Sequence, residues 1–327
     1  MRVAYLVTED WYFLSHRLPV ARAARDAGHE VVVLTRDNGR GAEIEAEGFR
    51  LVALDWKRGD ASPVGLARET ALVARALRAV RPDLLHLVAM KPILVGGLAR
   101  LVAGRVPAIA AFTGLGHAFT WSGAKARVMR AALSLALADP GVRLLFQNRD
   151  DRDDVLGALR LAPGRATIVR GSGVDTAALS PHPEPEGPVT IATVCRMLRS
   201  KGVEDVVAAS RLLGERGVDH RLLLAGTPDP ESHESLSKDE VDQLGRAPGV
   251  TLLGHVHDVS TVWRQAAIAV LAQRDREGLP KALLEAAACG RPLVATNVPG
   301  CREIARDGET GFLVPPSDPA ALADALE

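Results

Sequence analysis

Two carboxylates and a group of cations stand at spacings that could do chemistry. In "REGLPKALLEAAACGRP", residues 276–292, Glu277 and Glu285 have seven residues between them. The segment follows the apolar run Ile268 to Ala272, so it reads as strand, loop and helix. Pro280 suits the first helical position and Gly290 the residue just past the end. Glu277 then falls in the entry loop and Glu285 in the second helical turn, where both can face one ligand. The helix start offers unpaired N–H groups and positive dipole to a phosphate or a sugar oxygen. A second strand-to-helix passage, "VCRMLRSKGVED", residues 194–205, carries Arg196, Arg199 and Lys201 just before its helix. Cations at a helix start oppose the dipole. A diphosphate bridging them removes that conflict, because Arg offers a fork to its oxygens and Lys a point charge.

Other polar patterns read as structure. Asp151 and Asp153 form D-x-D, but aspartates ahead of an apolar helical pattern are what a helix start prefers. His255 and His257 form H-x-H without a third ligand nearby, and His233-Glu234 lacks the second histidine of H-E-x-x-H. The three cysteines, Cys195, Cys289 and Cys301, show no C-x-x-C spacing, which points away from a disulfide framework or structural zinc and fits a reducing compartment. No metal and no cofactor are expected.

The elements that must position these residues alternate. Arg2 to Val7, Leu18 to Ala27 closed by Gly28, and Glu30 to Leu34 make a βαβ unit. Leu84 to Val88, a helix-like stretch around Ile93 to Val102, Ala108 to Phe112 and Arg143 to Gln147 continue it, predicting an α/β fold with a parallel sheet. A second series starts at Val189 to Val194 and runs through Glu204 to Leu213, Arg221 to Ala225, Ile268 to Ala272 and Leu293 to Thr296. Between them "LSPHPEPEGP", residues 179–188, holds four prolines, a stiff connector. With 327 residues, two domains are expected, 1–178 and 179–327. Two doubly wound domains so joined would face a central cleft at the carboxyl ends of both sheets, where ligands of such folds bind. The last pattern, Pro319 to Glu327, reads as a helix without a stop signal, so the second domain is expected to be truncated at its end.

Forty Lys+Arg balance forty Asp+Glu, which argues against a nucleic-acid binder. The halves nonetheless differ: residues 1–178 carry a net charge of +7 and residues 179–327 one of −7. Between Leu84 and Ala138 stand Lys91, Arg100, Arg105, Lys125, Arg127 and Arg130 without a carboxylate, a stretch that invites an anionic partner. The first apolar run is too short for a signal peptide, and no stretch has the composition of a membrane span.

Together these segments resemble glycosyltransferase family 4, the retaining nucleotide-sugar transferases of GT-B fold. The resemblance covers nearly the whole chain. The Glu277 and Glu285 spacing matches that family's paired-glutamate motif, and Arg196 with Lys201 matches its diphosphate-binding pair. "RGSGVD" (170–175), "LLLAGTPDP" (222–230, containing Gly226) and "GCREIARDGETGFLVPPSDP" (300–319) are similar to other family segments. More narrowly, "VTEDWYFLSHRLPVARAA" (7–24), "HLVAMKP" (86–92), "FTGLGHAFT" (112–120) and the 277–304 segment resemble the subgroup assembling bacterial surface polysaccharides and lipid-linked oligosaccharides. Many members place a histidine near the end of the Ala108 to Phe112 strand; here Thr113 stands there and His117 comes four residues later.

The resemblance implies two Rossmann-like domains, a UDP-sugar on the second and an acceptor against the first. It assigns Arg196 and Lys201 to the departing diphosphate, Glu277 to hydroxyls of the transferred sugar and Glu285 to the ribose. Gly278, Leu279 and Pro280 shape the loop between, Gly226 and His255 join the donor side, and His16, Thr113 and His117 the acceptor side. It further implies a polyprenyl-diphosphate-linked acceptor, a hexose or N-acetylhexosamine as the transferred group, and metal-independent transfer in the cytoplasm. The basic stretch is expected to hold the first domain on the anionic inner face of the plasma membrane. The family's closing helix, which crosses back onto the first domain, is expected to be missing. A UDP-sugar epimerase of the same fold and a non-catalytic nucleotide-sugar-binding module are the alternatives. A dinucleotide dehydrogenase is excluded, since no G-x-G-x-x-G follows the first strand.

Overall fold

The computed structural model describes residues 1–327 except 60, 61, 116–118 and 120–122, and not the side chain of Lys125. The chain divides into two compact units, Met1–Ser172 and Gly173–Glu327, six residues before the boundary expected from composition. The proline-rich connector therefore belongs to the second unit.

In the first unit, β1 (Arg2–Glu9) leads into α1 (Asp10–His16) and α2 (Leu18–Asp26), then β2 (Glu30–Arg36), α3 (Gly41–Ala46), β3 (Arg50–Ala53) and α4 (Pro63–Val80). There follow β4 (Leu84–Val88), α5 (Met90–Ala103), β5 (Ala108–Ala111), α6 (Ala124–Leu137), β6 (Val142–Phe146), α7 (Arg149–Leu159) and β7 (Ala166–Ile168). The strands form one parallel sheet in the order β3-β2-β1-β4-β5-β6-β7. Alternate residues of the central strands feed two apolar cores: Ala4, Leu6, Leu85 and Leu87 pack with α4 and α5, while Val3, Tyr5 and Val7 pack with Phe13 of α1 and Ala21 of α2. Strands buried on both faces read as continuous apolar runs.

The second unit repeats the plan. β8 (Val189–Val194), α8 (Val203–Glu215), β9 (His220–Ala225), α9 (Lys238–Gly245), β10 (Val250–Gly254) and α10 (Ser260–Gln265) precede β11 (Ile268–Leu271), α11 (Lys281–Ala288), β12 (Leu293–Thr296), β13 (Gly311–Val314) and α12 (Pro319–Leu326). Its sheet, β10-β9-β8-β11-β12-β13, is parallel throughout and has the dinucleotide-fold strand order. The winding reverses between β8 and β11, so the loops after these two strands flank the switch point where such sheets bind ligands. They are the loops that carry Arg196 with Lys201 and Glu277.

Two charge expectations change. Arg100 is not a surface cation: it is fully buried, donating to the carbonyls of Val106 and Arg105 beside Asp139 at 3.5 Å. Lys91 pairs with the buried Glu69 at 2.7 Å. The stretch from Lys91 to Arg130 is thus not one continuous basic surface. The D-x-D pattern is a helix start, as expected: Asn148 caps α7, accepting from Asp151 N at 2.7 Å, while Asp153 pairs with Arg152.

Candidate functional site

Just after β8, Met197 is buried in the core beneath α8 and α9 and Leu198 is buried beside it in sequence, while Arg196 and Arg199 are exposed. A single 3-10 turn, Arg199–Lys201, then brings Lys201 back over the sheet before α8 begins. Gly202 makes this possible. Its φ is 63°, and a Cβ there would lie 1.9 Å from the carbonyl oxygen of Ala272, at the end of β11. The loop after β8 therefore presses directly on the loop after β11.

Further contacts hold this region together. Arg274 N donates to Ser200 O at 2.8 Å. The Arg274 guanidinium grips Asp205 of α8 through two bonds of 2.7 Å, and Glu204 through one of 3.1 Å. Gly300, at φ 90°, lets the loop after β12 lie against the backbone of Glu277, whose carbonyl oxygen would be 2.4 Å from an added Cβ. The result is an ion pair across 76 residues of chain, Lys201 Nζ to Glu277 Oε2 at 2.6 Å, with the Lys201 side chain only 12% exposed.

Arg196 reaches Asp229, in the loop after β9, at 2.6 Å. Gly226 is the hinge of that contact: its added Cβ would stand 1.8 Å from Cys195 O, so the ends of β8 and β9 touch. Burial pushes the Cys195 thiol up to about 12, with Lys201, Glu277 and Arg196 all near enough to act on it. Cys301 is likewise pushed up to about 12 by burial beside Glu277 and Lys201. Both stay protonated at neutral pH, which removes them as nucleophiles.

The remaining predicted residues fall into place unevenly. Gly278, Leu279 and Pro280 are buried in the loop between the two glutamates. Pro280 caps α11 rather than occupying its first turn, and Gly290 follows the helix end at φ 75°. Glu285 lies in the second turn, 5% exposed, paired with Lys281 at 2.9 Å. His255 follows β10 at the same edge of the sheet, exposed, its ring edge-on to His257 at 4.7 Å. Arg199, read from the sequence as one of three cations that a diphosphate could bridge, pairs with Glu204 and Glu240. In the first unit His16 stacks on Tyr12 at 4.2 Å, and Thr113 is half-buried just after β5. His117 lies outside the described residues. Asp229, Arg274 and Asp205 were not singled out from the sequence. Among the described residues no three His, Cys, Asp or Glu side chains gather as metal ligands would.

Burial holds the Glu285 carboxyl above the ordinary glutamate range, with Lys281 opposing. Between the ordinary value and the raised one the folded chain keeps a proton that the unfolded chain has lost, so stability falls as pH rises through that window. Glu285→Gln is expected to flatten this part of the stability profile, read by urea unfolding from about pH 4 to about pH 8. An unchanged profile would remove Glu285 as its source.

Residues 2–148 match the family model described as glycosyl transferase 4-like, and residues 188–327 that of the glycosyl transferases group 1. Both units are thus similar to glycosyltransferase domains, and the fold is that of GT-B glycosyltransferases. The chain's first half matches the one model, and the unit holding the Lys201–Glu277 pair the other. It is 29% identical over 137 residues to the capsular polysaccharide biosynthesis glycosyltransferase CapM of Staphylococcus aureus, covering 42% of this chain and 35% of that protein. It is 22% identical over 332 aligned positions to the N,N'-diacetylbacillosaminyl-diphospho-undecaprenol alpha-1,3-N-acetylgalactosaminyltransferase of Campylobacter jejuni, covering 95% of this chain and 85% of that protein. The chain spans less than half the length of the first curated relatives it matches. Among solved structures, Anabaena HepE in complex with UDP and glucose superposes with a TM-score of 0.78 at 17% identity, covering 99% of this chain and 88% of that one.

Proposed function

We propose that the chain is a retaining, metal-independent glycosyltransferase of bacterial surface-glycan assembly. It moves a hexose or N-acetylhexosamine from a UDP-sugar to a saccharide carried on polyprenyl diphosphate. The observation that supports it most is the Lys201–Glu277 pair at the switch point of the second sheet, with Arg196 on the same loop. Departure of UDP builds charge on its β-phosphate. Lys201 and Arg196 supply fixed positive charge for it, and a positioned donor of this kind is worth about 100- to 1,000-fold in rate. Glu277, on Lys201, meets hydroxyls of the sugar near its anomeric carbon, while Glu285 on α11 accepts from the ribose. Attack comes from the face the nucleotide leaves, and the departing phosphate oxygen takes the acceptor proton, so no protein base is needed.

HepE was solved with UDP and glucose, and the Campylobacter enzyme is named for a diphospho-undecaprenol substrate. Both lend weight to the donor and acceptor classes. The test is transfer of label from UDP-galactose, UDP-N-acetylgalactosamine and UDP-N-acetylglucosamine to polyprenyl-diphosphate saccharides, with and without EDTA. Transfer undiminished by EDTA is expected. A changed UDP-sugar released without acceptor indicates an epimerase, and strict dependence on Mg²⁺ would refute metal independence.

Cytoplasmic, peripheral membrane association through the first unit belongs to the same proposal. No helix among the described residues is long and apolar enough to cross a membrane. α6 instead turns Arg127 outward together with Val128 and Leu135, 70% and 58% exposed, a mixed basic and apolar face. Anionic headgroups attract each nearby basic residue by about 1 kcal/mol. Sedimentation with anionic liposomes should exceed that with neutral ones, and the difference should shrink at high salt; equal binding to both removes the electrostatic attraction.

A further inference from the structure

The first unit buries a guanidinium that no described carboxylate pairs with. Pro19 cannot continue α1, because it lacks an N–H and its ring crowds the carbonyl four residues back. The chain kinks at Arg17, with φ −121° and ψ −14°, before α2 begins. The kink sets the Arg17 side chain among Tyr5 of β1, Tyr12 of α1 and His86 of β4. Arg17 is 4% exposed, and its Nε is shielded from solvent without a hydrogen-bond partner. Burial draws its pKa down, and Tyr12 is near enough to oppose that shift.

The neighbours do not neutralise it. Tyr5 and His86 are register partners on adjacent strands, their rings 5.1 Å apart. Burial pushes the Tyr5 hydroxyl up to about 12 and holds His86 down to about 3, so both are neutral at physiological pH. His86 Nε2 is also shielded and without a partner. The nearest acidic residues in sequence, Glu9 and Asp10, are engaged elsewhere: Asp10 accepts from the backbone of Asn38 and Arg40, and Glu9 from the Asn38 side chain. Buried charges are normally paired. A cation ringed by a neutral imidazole and two phenols, with unfilled donor capacity, calls for an anion.

We propose that Arg17, Tyr12 and His86 form an anion subsite for a phosphate group. Its role in turnover rests on the reaction proposed above, which offers two phosphate sources, the diphosphate of the nucleotide donor and that of the acceptor. The subsite itself does not depend on that reaction. Inorganic phosphate, titrated against chloride at constant ionic strength, is expected to raise the melting temperature of the wild-type chain more than that of Arg17→Gln. Tyr12→Phe should show an intermediate rise, and it carries the test if Arg17→Gln fails to fold. Arg22→Gln, which alters an exposed cation on α2, should keep the full rise. Equal rises in wild type, Arg17→Gln and Tyr12→Phe, or none in wild type, would overturn the proposal.

The source is then read from the same variants. A UDP affinity weakened about tenfold with acceptor KM unchanged assigns the donor, and an acceptor KM raised about tenfold with UDP affinity unchanged assigns the acceptor. If neither changes, the role in turnover is overturned. The phosphate titration needs no turnover, so an inactive wild-type chain would sink the proposed reaction and leave the subsite standing or falling by its own measurement.

Discussion

Lys201→Ala is expected to lower kcat/KM about 100- to 1,000-fold, and Arg196→Ala by a similar factor, with the fold intact in both. The Lys201 ammonium lies on Glu277 Oε2 at 2.6 Å, at the carboxyl ends of the two strands where the second sheet reverses. Charge placed there before the reaction costs no reorganisation when the diphosphate departs. The double variant should lose less than the product of the single losses, because both cations act on one developing charge. Lys201→Arg should not restore the rate, since a planar fork cannot occupy the place of a compact ammonium held at 12% exposure. The stability cost should stay near 1 kcal/mol, since Glu277 is 30% exposed and water can replace its partner. Turnover measured at saturating and limiting donor decides this, and a wild-type rate in either single variant would end the assignment.

That pair was legible because both of its loops follow strands that announce themselves. β4, β8 and β12 match the residues expected from sequence to the position, being mostly apolar with their central residues buried in the sheet. The edge strands β10 and β13 were missed, because Val250–Gly254 and Gly311–Val314 are short, partly exposed and bounded by glycine at one end. α4 was also missed, although Ser62 caps it and Pro63 opens it, a start signal readable in hindsight. α1 leaves little trace, since Pro19 ends its pattern after two turns.

Within the site, motifs located the charges and did not reveal their partners. Asp229 holds Arg196 from 33 residues away, and Arg274 clamps Asp205 from 69. Neither pairing has a local spacing rule, because both exist only once β9 and β11 lie beside β8. Arg199 shows the converse: it shares a loop with Lys201 in sequence, yet the 3-10 turn directs it to Glu204 and Glu240. The basic stretch of the first unit is interrupted for the same reason, since burial of Arg100 and pairing of Lys91 are decided by tertiary neighbours.

Gly202→Ala is the second large effect, and it tests whether backbone contact rather than charge sets the site. Nothing near Gly202 is a flexible side chain tip. The atom met at 1.9 Å is the carbonyl oxygen of Ala272, with its carbon at 2.9 Å. The 3-10 turn cannot simply recede, because Lys201 N is bonded to Leu198 O at 3.0 Å and Arg199 N to Glu234 O at 2.9 Å. An added methyl must therefore part the two loops by more than about an ångström, while φ 63° strains any residue with a Cβ. The expected cost is about 2–4 kcal/mol in urea unfolding. Turnover should fall at least about 100-fold, since Lys201 is the adjacent residue and its distance to Glu277 opens with the loops. Gly214→Ala provides the control: it lies in α8 with no heavy atom near its added Cβ, and should be neutral or stabilising by up to about 1 kcal/mol. A Gly202→Ala chain with wild-type stability and rate would show that the loops after β8 and β11 can separate without consequence, and the Lys201–Glu277 pair would then owe nothing to their contact.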